Sequence, residues 1–568
     1  MLDKKKNNLE LFGDFKERII TAKLRFSFVL FFLFFGYFLI TLKIINLSIS
    51  HSKELSNKVF KVFKQNQLIT GLRADIIDRN GVQLATSHIQ HDLVANPKEI
   101  TKNKKELSKK ISNILPELTY EDVLKKLESE KSFVYLKRPI SPKKLNKVVK
   151  LSEPGIKKKE RYVRYYPHQK HASHILGGVN IDNKGIKGIE STFDKKLRDP
   201  EFIKKGKLQL SIDINLQKNL DFHLSETINR HSAEGGAGII LDVKTAEILA
   251  MNSLPQFNPN KINKMDKKAE FNNATLGVFE LGSLFKSLSG AIALDKKILT
   301  EDTIYDARKP LKEGKFTIHD YKPKKRKLKF SECVLYSSNI CFAQVGTDIG
   351  EKNMKEYFER LQLTNKPEIE LPEVGEPILP TVWRKTDLMA MSYGHTIAVS
   401  PLQFVNAFNA IINGGKFQYS TLIKKENYEN NSSIEVISEN TSKRIRKLLR
   451  EVVRSNEGSG KSANIKGFSI GGKTGTAIKN KKNRSGYKDE NRTSFVGFFP
   501  SYDPKYIVFI MVDNPKRIKE NFNYATAGWV AAPTVKKIIN EMIPRLGIEP
   551  EIDKENELLQ QFNLSKKN

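Results

Sequence analysis

The stretch VFELGSLFKSLSGAIAL at 278–294 decides the fold, because it places Ser283 and Lys286 one helical turn apart in an apolar, small-residue segment. Such a segment predicts a buried helix. Burial lowers the pKa of a lysine, and a neutral amine can deprotonate a serine hydroxyl. A core helix with a chance serine and lysine is an equal alternative for this motif alone. The same S-x-x-K spacing occurs in polar surroundings at Ser50/Lys53, Ser141/Lys144 and Ser485/Lys488.

A second motif, Ser337-Ser338-Asn339, lies between the apolar stretches 333–336 and 340–343. The pattern predicts a tight turn between helices, with the Ser337 hydroxyl and the Asn339 amide facing one cleft. A hydroxyl can pass a proton and an amide can hold a substrate amide. An ordinary helix cap is the alternative, and Ser462-Ala463-Asn464 has the same pattern.

A third motif, GGKTGTA at 471–477, follows the residues Phe468-Ser469-Ile470 and is predicted to lie on a strand. Glycines there let another backbone approach closely. A lysine and threonines on one strand edge can bind a carboxylate by charge and hydroxyl together. A glycine-rich edge strand without such a role is the alternative.

The order of the three motifs is typical of serine β-lactamases and penicillin-binding proteins. Further segments extend the resemblance to class B penicillin-binding proteins over nearly the whole chain: RADIIDRNGVQLA (73–85), GGVNIDNKGIKGIES (177–191), DVKTAEILAMNSLPQFNPN (242–260), MSYGHTIAVSPLQ (391–403) and SFVGFFPSYDP (494–504). The total length and the short head region resemble the division-specific, septal peptidoglycan D,D-transpeptidases. One departure is Asn272-Asn273-Ala274, where the family pattern has Asn-Arg-Ala.

This resemblance implies an acyl-transfer reaction. Ser283 would attack the penultimate D-Ala carbonyl of a peptidoglycan stem pentapeptide, and an amine of a neighbouring stem would then take the acyl group. Lys286 would be the general base, and Ser337 would relay the proton to the leaving amine. Asn339 would orient Lys286 and the substrate, and Lys473 would keep the cleft positive.

The resemblance also implies the substrate contacts. Thr474, Gly475 and Thr476 would bind the terminal carboxylate, and the backbone N–H groups of Ser283 and Thr476 would form the oxyanion hole. Neither a metal nor an organic cofactor is required. The expected partners are the stem pentapeptide on lipid-linked or nascent glycan, β-lactams as inhibitors, and a membrane glycan polymerase with other division proteins.

The fold class predicted is mixed α+β. We expect a cytoplasmic tail (1–22), a transmembrane anchor (23–45), a non-catalytic pedestal domain (46–210), a transpeptidase domain with an antiparallel sheet packed by helices (211–550), and a C-terminal tail (551–568). In the pedestal we expect a linking helix at 46–70, a hairpin at 73–85, helices over 100–160 that Pro142 and Pro154 break, and loops with short elements over 164–200. In the second domain we expect a helix at 215–230, a hairpin over 237–251, strands at 493–499 and 506–512, and a helix with Pro533 in its first turn.

The uncharged run FSFVLFFLFFGYFLITL at 26–42 predicts the anchor. Seven basic residues precede it, which predicts a cytoplasmic N-terminus and places the catalytic part across the inner membrane, in the periplasm. A cleaved signal peptide is the alternative, but the residues after the run are a poor cleavage site.

The formal net charge of +33 invites a nucleic-acid interpretation, but the charge is spread along the chain and lysine-rich solvated faces explain it. His168, His171 and His174 lack a zinc-binding pattern. Eight residues of continuous helix would hold the two cysteines, Cys333 and Cys341, about 12 Å apart, too far for a disulfide. A turn at Ser337–Asn339 could bring them closer, but both lie in apolar runs, so they are predicted to be reduced and buried.

Three other classes share features with the chain. A serine β-lactamase or D,D-carboxypeptidase shares the motifs, an elongation-type transpeptidase shares the architecture, and a β-lactam-sensing receptor would need further membrane helices. Between Asn339 and Lys473 the E-x-x-L-N pattern of a class A β-lactamase does not occur.

Overall fold

A computed structural model describes residues 26–46, 71–426, 433–480 and 487–550. The chain divides into two units, Met1–Thr70 and Gly71–Asn568. The predicted terminal tails and nearly all of the predicted linking helix at 46–70 lie outside the described residues.

The first unit contains helix α1 (Phe26–Asn46), which is long and apolar enough to cross a membrane. Within its 21 residues, an 18-residue window has a mean hydropathy of 2.4, and no residue of that window is buried. At about 1.5 Å per residue the helix matches a hydrocarbon core of about 30 Å. The hydroxyl of Thr41 donates to the carbonyl of Tyr37, so this polar group is satisfied within the helix.

The second unit begins with the pedestal. Its elements, in chain order, are β1 (Ile76–Ile77), β2 (Gln83–Ala95), α2 (Lys104–Ile114), α3 (Tyr120–Leu127), β3 (Val134–Ile140), α4 (Pro142–Val149), β4 (Ile156–Tyr165), α5 (Ser173–Leu176), β5 (Gly178–Val179), β6 (Gly185–Lys187), α6 (Gly188–Thr192), α7 (Asp194–Leu197), α8 (Pro200–Lys205) and β7 (Leu208–Gln209).

The predicted hairpin at 73–85 is confirmed. β1 pairs antiparallel with β2 and parallel with β7. The carboxylate of Asp78 accepts from the backbone N–H groups of Asn80 and Val82, and Gly81 takes a φ of 87° that favours glycine. The predicted loops and short elements over 164–200 are also confirmed, since the structure has only short helices and strands joined by loops after β4 in this range. The buried Glu190 in α6 accepts from Arg73 and from Arg164, and this fixes the segment against the hairpin.

The prediction of helices throughout 100–160 is wrong in part. α2, α3 and α4 lie there, but β3 and β4 lie there too, and both pair with β2. In β4, Lys157, Lys158 and Lys159 are all exposed, so the strand lacks the alternation that would reveal it in the sequence. Pro142 does not break a helix but begins α4, where its missing N–H costs nothing.

The remainder of the second unit corresponds to the predicted transpeptidase domain. Its elements are α9 (Ile214–Arg230), β8 (Gly235–Asp242), β9 (Ile248–Leu254), α10 (Lys267–Glu270), α11 (Phe285–Asp295), β10 (Ile304–Asp306), β11 (Leu311–Glu313), β12 (Phe316–Ile318), β13 (Lys327–Lys329), α12 (Phe330–Tyr336), α13 (Asn339–Arg360), α14 (Lys385–Ser392), α15 (Pro401–Ile412), β14 (Lys416–Phe417), β15 (Ile434–Glu435), α16 (Glu439–Arg454), β16 (Gly471–Asn480), β17 (Tyr487–Phe499), β18 (Tyr506–Asp513) and α17 (Ala531–Leu546).

The predicted antiparallel sheet is confirmed, with strand order β16-β17-β18-β8-β9. It separates two hydrophobic cores, one formed with α11, α13, α15 and α16 and the other with α9 and α17. Alternate residues of β18 enter opposite cores. The first core contains Ile507, Phe509 and Met511, and the second contains Val508, Ile510 and Val512. Burial on both faces explains why this strand reads as a continuous apolar run.

The prediction of two reduced cysteines is wrong. Cys333 and Cys341 form a disulfide, with their Cα atoms 6.0 Å apart. They do not lie on one helix, because α12 ends at Ser337, which has a φ of 58°, and α13 starts afresh at Asn339. The left-handed residue turns the chain back and removes the 12 Å separation assumed for a continuous helix.

Candidate active site

Ser283 lies on a single 3-10 turn, Gly282–Leu284, that leads into α11. Every residue of α11 from Phe285 to Leu294 is buried, whereas Ser283 itself is half-exposed. Gly282 has a φ of 56°, and a Cβ added there would come within 2.8 Å of the Thr476 carbonyl oxygen. The glycine therefore lets the start of the buried helix approach strand β16.

The predicted burial of Lys286 is confirmed, since the residue is 1% exposed. Its Nζ lies 2.6 Å from the Ser337 carbonyl oxygen, 2.7 Å from Asn339 Oδ1 and 3.2 Å from Ser337 Oγ. A neutral amine has two N–H groups and one lone pair. When the N–H groups donate to the two nearer acceptors, the lone pair remains to accept a proton.

The predicted turn between helices at 337–339 is confirmed, and it brings the second motif to the first. Ser337 is the left-handed residue between α12 and α13, and Ser338 caps α13 by accepting from the N–H of Cys341. Asn339 donates from Nδ2 to the carbonyl of His319 at 3.0 Å. This bond leaves Asn339 Oδ1 directed at Lys286.

The third motif lies on β16, the edge strand next to β17, as predicted. Lys473 is fully buried and its Nζ donates to Ser337 Oγ at 2.8 Å and to the Thr474 carbonyl at 3.1 Å. One hydroxyl, that of Ser337, therefore contacts both lysine amines. The structure thus brings together Lys286, the turn residues Ser337 and Asn339, and Lys473, which come from three separate parts of the chain.

Burial dominates the electrostatics of the two amines. It lowers the pKa of Lys286 well below its usual range, the positive charge of Lys473 lowers that pKa further, and Asp320 raises it. Burial also lowers the pKa of Lys473 to about 7. Two ammonium groups around one hydroxyl repel each other, so one of the pair is neutral near neutral pH. The arrangement supplies a base beside the turn that carries Ser283.

The threonines of the third motif line the same strand. Thr474 Oγ1 donates to Ser459 Oγ at 3.0 Å, and Thr476 Oγ1 accepts from the Ala527 N–H at 3.3 Å. A Cβ added to Gly475 would come within 2.6 Å of the Leu281 carbonyl oxygen, so only glycine fits where the strand passes the serine turn.

A sequence model described as "Penicillin binding protein transpeptidase domain" matches residues 236–540, more than half of the chain. The chain belongs to this family. A model described as "Penicillin-binding Protein dimerisation domain" matches residues 68–209. The predicted class B membership, with a pedestal before the catalytic domain of this penicillin-binding transpeptidase, is confirmed.

Curated relatives extend the similarity over most of the chain. The chain is 33% identical to "Probable peptidoglycan D,D-transpeptidase FtsI" of Caulobacter vibrioides, over 85% of this chain and 83% of the relative. It is 30% identical to "Stage V sporulation protein D" of Bacillus subtilis, over 94% of this chain and 87% of the relative. It is 28% identical to "Peptidoglycan D,D-transpeptidase FtsI" of Buchnera aphidicola subsp. Baizongia pistaciae, over 90% of this chain and 94% of the relative.

The repeated motifs elsewhere in this penicillin-binding protein have other contacts. Ser141 immediately precedes α4 in the pedestal, and Lys144 forms an ion pair with Glu117 at 2.8 Å. Ser462 donates to the Gly528 carbonyl, and Asn464 accepts from Arg450. Ser50, Lys53, Ser485 and Lys488 lie outside the residues whose side chains are described.

Other predicted features also have ordinary structural partners. His171 contacts Asp221 at 2.6 Å, and His174 contacts the Ala269 carbonyl at 2.9 Å. At the departure from the family pattern, Asn273 donates from Nδ2 to the Leu254 carbonyl at 3.1 Å. Asn273 thus forms a hydrogen bond to the end of β9 at the position where the family pattern has an arginine.

Sequence reasoning missed the residues that support the motifs. His319 and Asp320, in the loop after β12, contact the turn at 337–339. Ser459 contacts Thr474 from the loop before β16. No motif spacing marks these residues, because their contacts depend on loops that fold back onto the site.

Proposed function

We propose that this penicillin-binding transpeptidase cross-links peptidoglycan through a covalent acyl-enzyme on Ser283. Ser283 Oγ attacks the penultimate D-Ala carbonyl carbon, its proton passes to Lys286 Nζ, and the amide bond to the terminal D-Ala breaks. Ser337 returns the proton to the leaving amine. An amine of a second stem peptide then attacks the ester, forms the cross-link and frees Ser283.

The observation that carries this proposal is the pair of buried amines on one hydroxyl. Lys286 and Lys473 both contact Ser337 Oγ, and burial lowers the pKa of each. A lysine needs a lowered pKa to act as a base near neutral pH. A structural lysine would instead face a carboxylate or water.

The remaining roles follow from position on β16. We propose that Thr474, Gly475 and Thr476 hold the terminal carboxylate of the stem peptide and that Lys473 supplies positive charge behind them. The backbone N–H groups of Ser283 and Thr476 are proposed as the oxyanion hole. Each such donor is typically worth about 3–4 kcal/mol of transition-state stabilisation.

The cellular role proposed is septal wall synthesis during division. Two of the relatives above carry the name FtsI, and the chain covers most of each. Helix α1 is proposed as an uncleaved single-pass anchor, with the basic N-terminus cytoplasmic and the second unit periplasmic. A membrane glycan polymerase and other division proteins are the proposed partners.

Fluorescent penicillin labelling of the full chain in detergent tests the acyl-enzyme. We expect one adduct per chain, located at Ser283 by peptide mass spectrometry and stable for many minutes. Ser283→Ala should abolish labelling. Ser141→Ala, which alters a serine with the same S-x-x-K spacing on the pedestal, is the matched control and should leave labelling intact.

Three outcomes would overturn the proposal. An adduct that turns over within seconds would indicate a hydrolase such as a β-lactamase. Labelling that survives Ser283→Ala would place the nucleophile elsewhere. Release of D-Ala without joining to an added amine would favour the carboxypeptidase alternative.

A further inference from the structure

The loop that follows β12 contacts the serine-asparagine turn from outside the three motifs. The His319 carbonyl accepts from Asn339 Nδ2 at 3.0 Å. The neighbouring Asp320 carboxylate accepts from Ser338 Oγ at 2.7 Å and from the Ile340 N–H at 3.0 Å. Two adjacent loop residues thus hold three consecutive residues, Ser338 to Ile340, where the turn leads into α13.

The contact from His319 selects the orientation of the Asn339 amide. An amide side chain presents an acceptor oxygen on one side and an NH₂ donor on the other. Because Nδ2 donates to the loop, Oδ1 faces the amine of Lys286 at 2.7 Å. The opposite orientation would place an N–H group against a lysine N–H group.

The contact from Asp320 places a negative charge at the start of α13. A carboxylate is favoured at a helix N-terminus, where the backbone N–H groups lack helical partners. Its charge also acts on the buried amine of Lys286. The charged groups that act on Lys286 are Lys473 from β16, which opposes its protonation, and Asp320 from this loop, which favours it. Among the described residues, Lys286 Nζ also contacts the uncharged groups of Ser337 and Asn339 and the ring of Phe342, whose centroid is 5.7 Å away.

We propose that Asp320 is a positioning residue for acyl transfer, which holds the 337–339 turn against Lys286 and supplies a negative charge that keeps this amine a strong base. The inference rests on the proposed function of Lys286 as the base for Ser283. It assigns the loop after β12 to the catalytic apparatus, although the loop belongs to none of the three motifs.

The pH profile of penicillin acylation separates this role from simple support of the fold. Asp320→Asn keeps the side-chain shape and an acceptor for the Ile340 N–H but removes the charge. The acid limb should then move to lower pH by about half a pH unit or more, because an opposite charge has been lost near the base. A weaker base also lowers the plateau rate. If the acylation rate depends on base strength with a Brønsted slope between zero and one, the pH profiles of wild type and Asp320→Asn should cross. The variant should be acylated more slowly than wild type at high pH and faster at low pH.

The experiment measures the second-order rate of fluorescent penicillin labelling from pH 5 to 9 on the full chain in detergent. Asp302→Asn is the matched control, because it removes an exposed carboxylate that pairs only with Lys329 among the described residues, at 2.8 Å. Its profile should match that of wild type. Asp320→Glu retains the charge, and its acid limb should remain at the wild-type position even if its rate falls.

Three results would overturn the inference. The first is an Asp320→Asn profile that is lower at every pH without displacement, which would indicate support of the fold alone. The second is a profile unchanged from wild type. The third is failure of both Asp320→Asn and Asp320→Ser to fold, which would assign the residue to stability. If the wild-type chain is not labelled on Ser283, the proposed function fails first, and that outcome is distinguishable from these.

Discussion

Replacement of Lys473 by methionine should abolish acyl transfer and yet stabilise the protein. Burial lowers the pKa of Lys473 to about 7, against about 10.4 for a lysine in an unfolded chain. At 1.36 kcal/mol per pKa unit, this difference destabilises the folded state by about 4 kcal/mol at neutral pH. Methionine fills similar space without a charge. Loss of the two hydrogen bonds from Nζ to Ser337 and Thr474 costs about 1 kcal/mol each, so Lys473→Met should gain about 2 kcal/mol.

The sign of the pH dependence follows from the direction of the pKa shift. Because the pKa of Lys473 is lower in the folded chain, the unfolded chain binds more protons between about pH 7 and about pH 10.4. Wild-type stability therefore rises with pH through this window relative to Lys473→Met. The advantage of the variant should shrink as the pH rises and reverse at about pH 9, where the remaining cost of burying the charge falls to the cost of the two lost hydrogen bonds.

Thermal unfolding of the detergent-solubilised chain, followed by intrinsic fluorescence, measures both effects. A gain of 2 kcal/mol corresponds to roughly 4 °C for a domain of about 200 residues, and to less for a larger one. Lys479→Met is the matched control on the same strand. Lys479 pairs with Glu234 at 2.9 Å and its pKa is raised, so this variant should gain nothing at neutral pH. A Lys473→Met variant that is less stable than wild type at pH 7, with a difference independent of pH, would refute the reasoning.

Three further predictions concern the disulfide, a strained residue and a close approach. Double replacement of Cys333 and Cys341 by alanine should destabilise the catalytic domain by about 2.5 kcal/mol, because the loop that the disulfide closes is lost, and denaturant titration measures this change. Reduction of the wild-type protein should add the mass of two protons, and no change in mass would contradict the pairing. Thr396 has a φ of 59°, which is unfavourable for a β-branched residue. Thr396→Gly should therefore raise the unfolding midpoint by an amount equivalent to about 1 kcal/mol. A lower midpoint would show that the side-chain contacts of Thr396 outweigh the strain. Gly475→Ala should reduce the rate of penicillin acylation at least tenfold, because the new Cβ would meet the Leu281 carbonyl oxygen at 2.6 Å. Labelling at the wild-type rate would show that the strand can move away.

The sequence predicted the core of the catalytic domain because its elements have strong local patterns. The run at 506–512 is apolar throughout, and the structure buries it on both faces as β18. The segment after Ser283 is apolar and rich in small residues, and it forms the buried helix α11. Where the pattern was weak, prediction failed. β4 carries three exposed lysines in succession, so its pairing with β2 left no periodic trace.

The site shows the same division. Lys286, Ser337, Asn339 and Lys473 could be named in advance, because each lies in a short motif whose residue types suit one reaction. His319 and Asp320 could not, because a carbonyl and a carboxylate on a polar loop carry no signal until the loop folds onto the turn.

By itself, the sequence determined which side chains are available for chemistry and which segments are apolar enough to become helices and strands, since these properties depend on residues close together in the chain. Only the tertiary structure decided that Cys333 and Cys341 are joined and that Ser337 lies between two amines. It also decided the charge state of those amines. A lysine pKa depends on how much water the surrounding fold excludes and on which charges that fold brings near, and both are sums over residues far apart in the sequence.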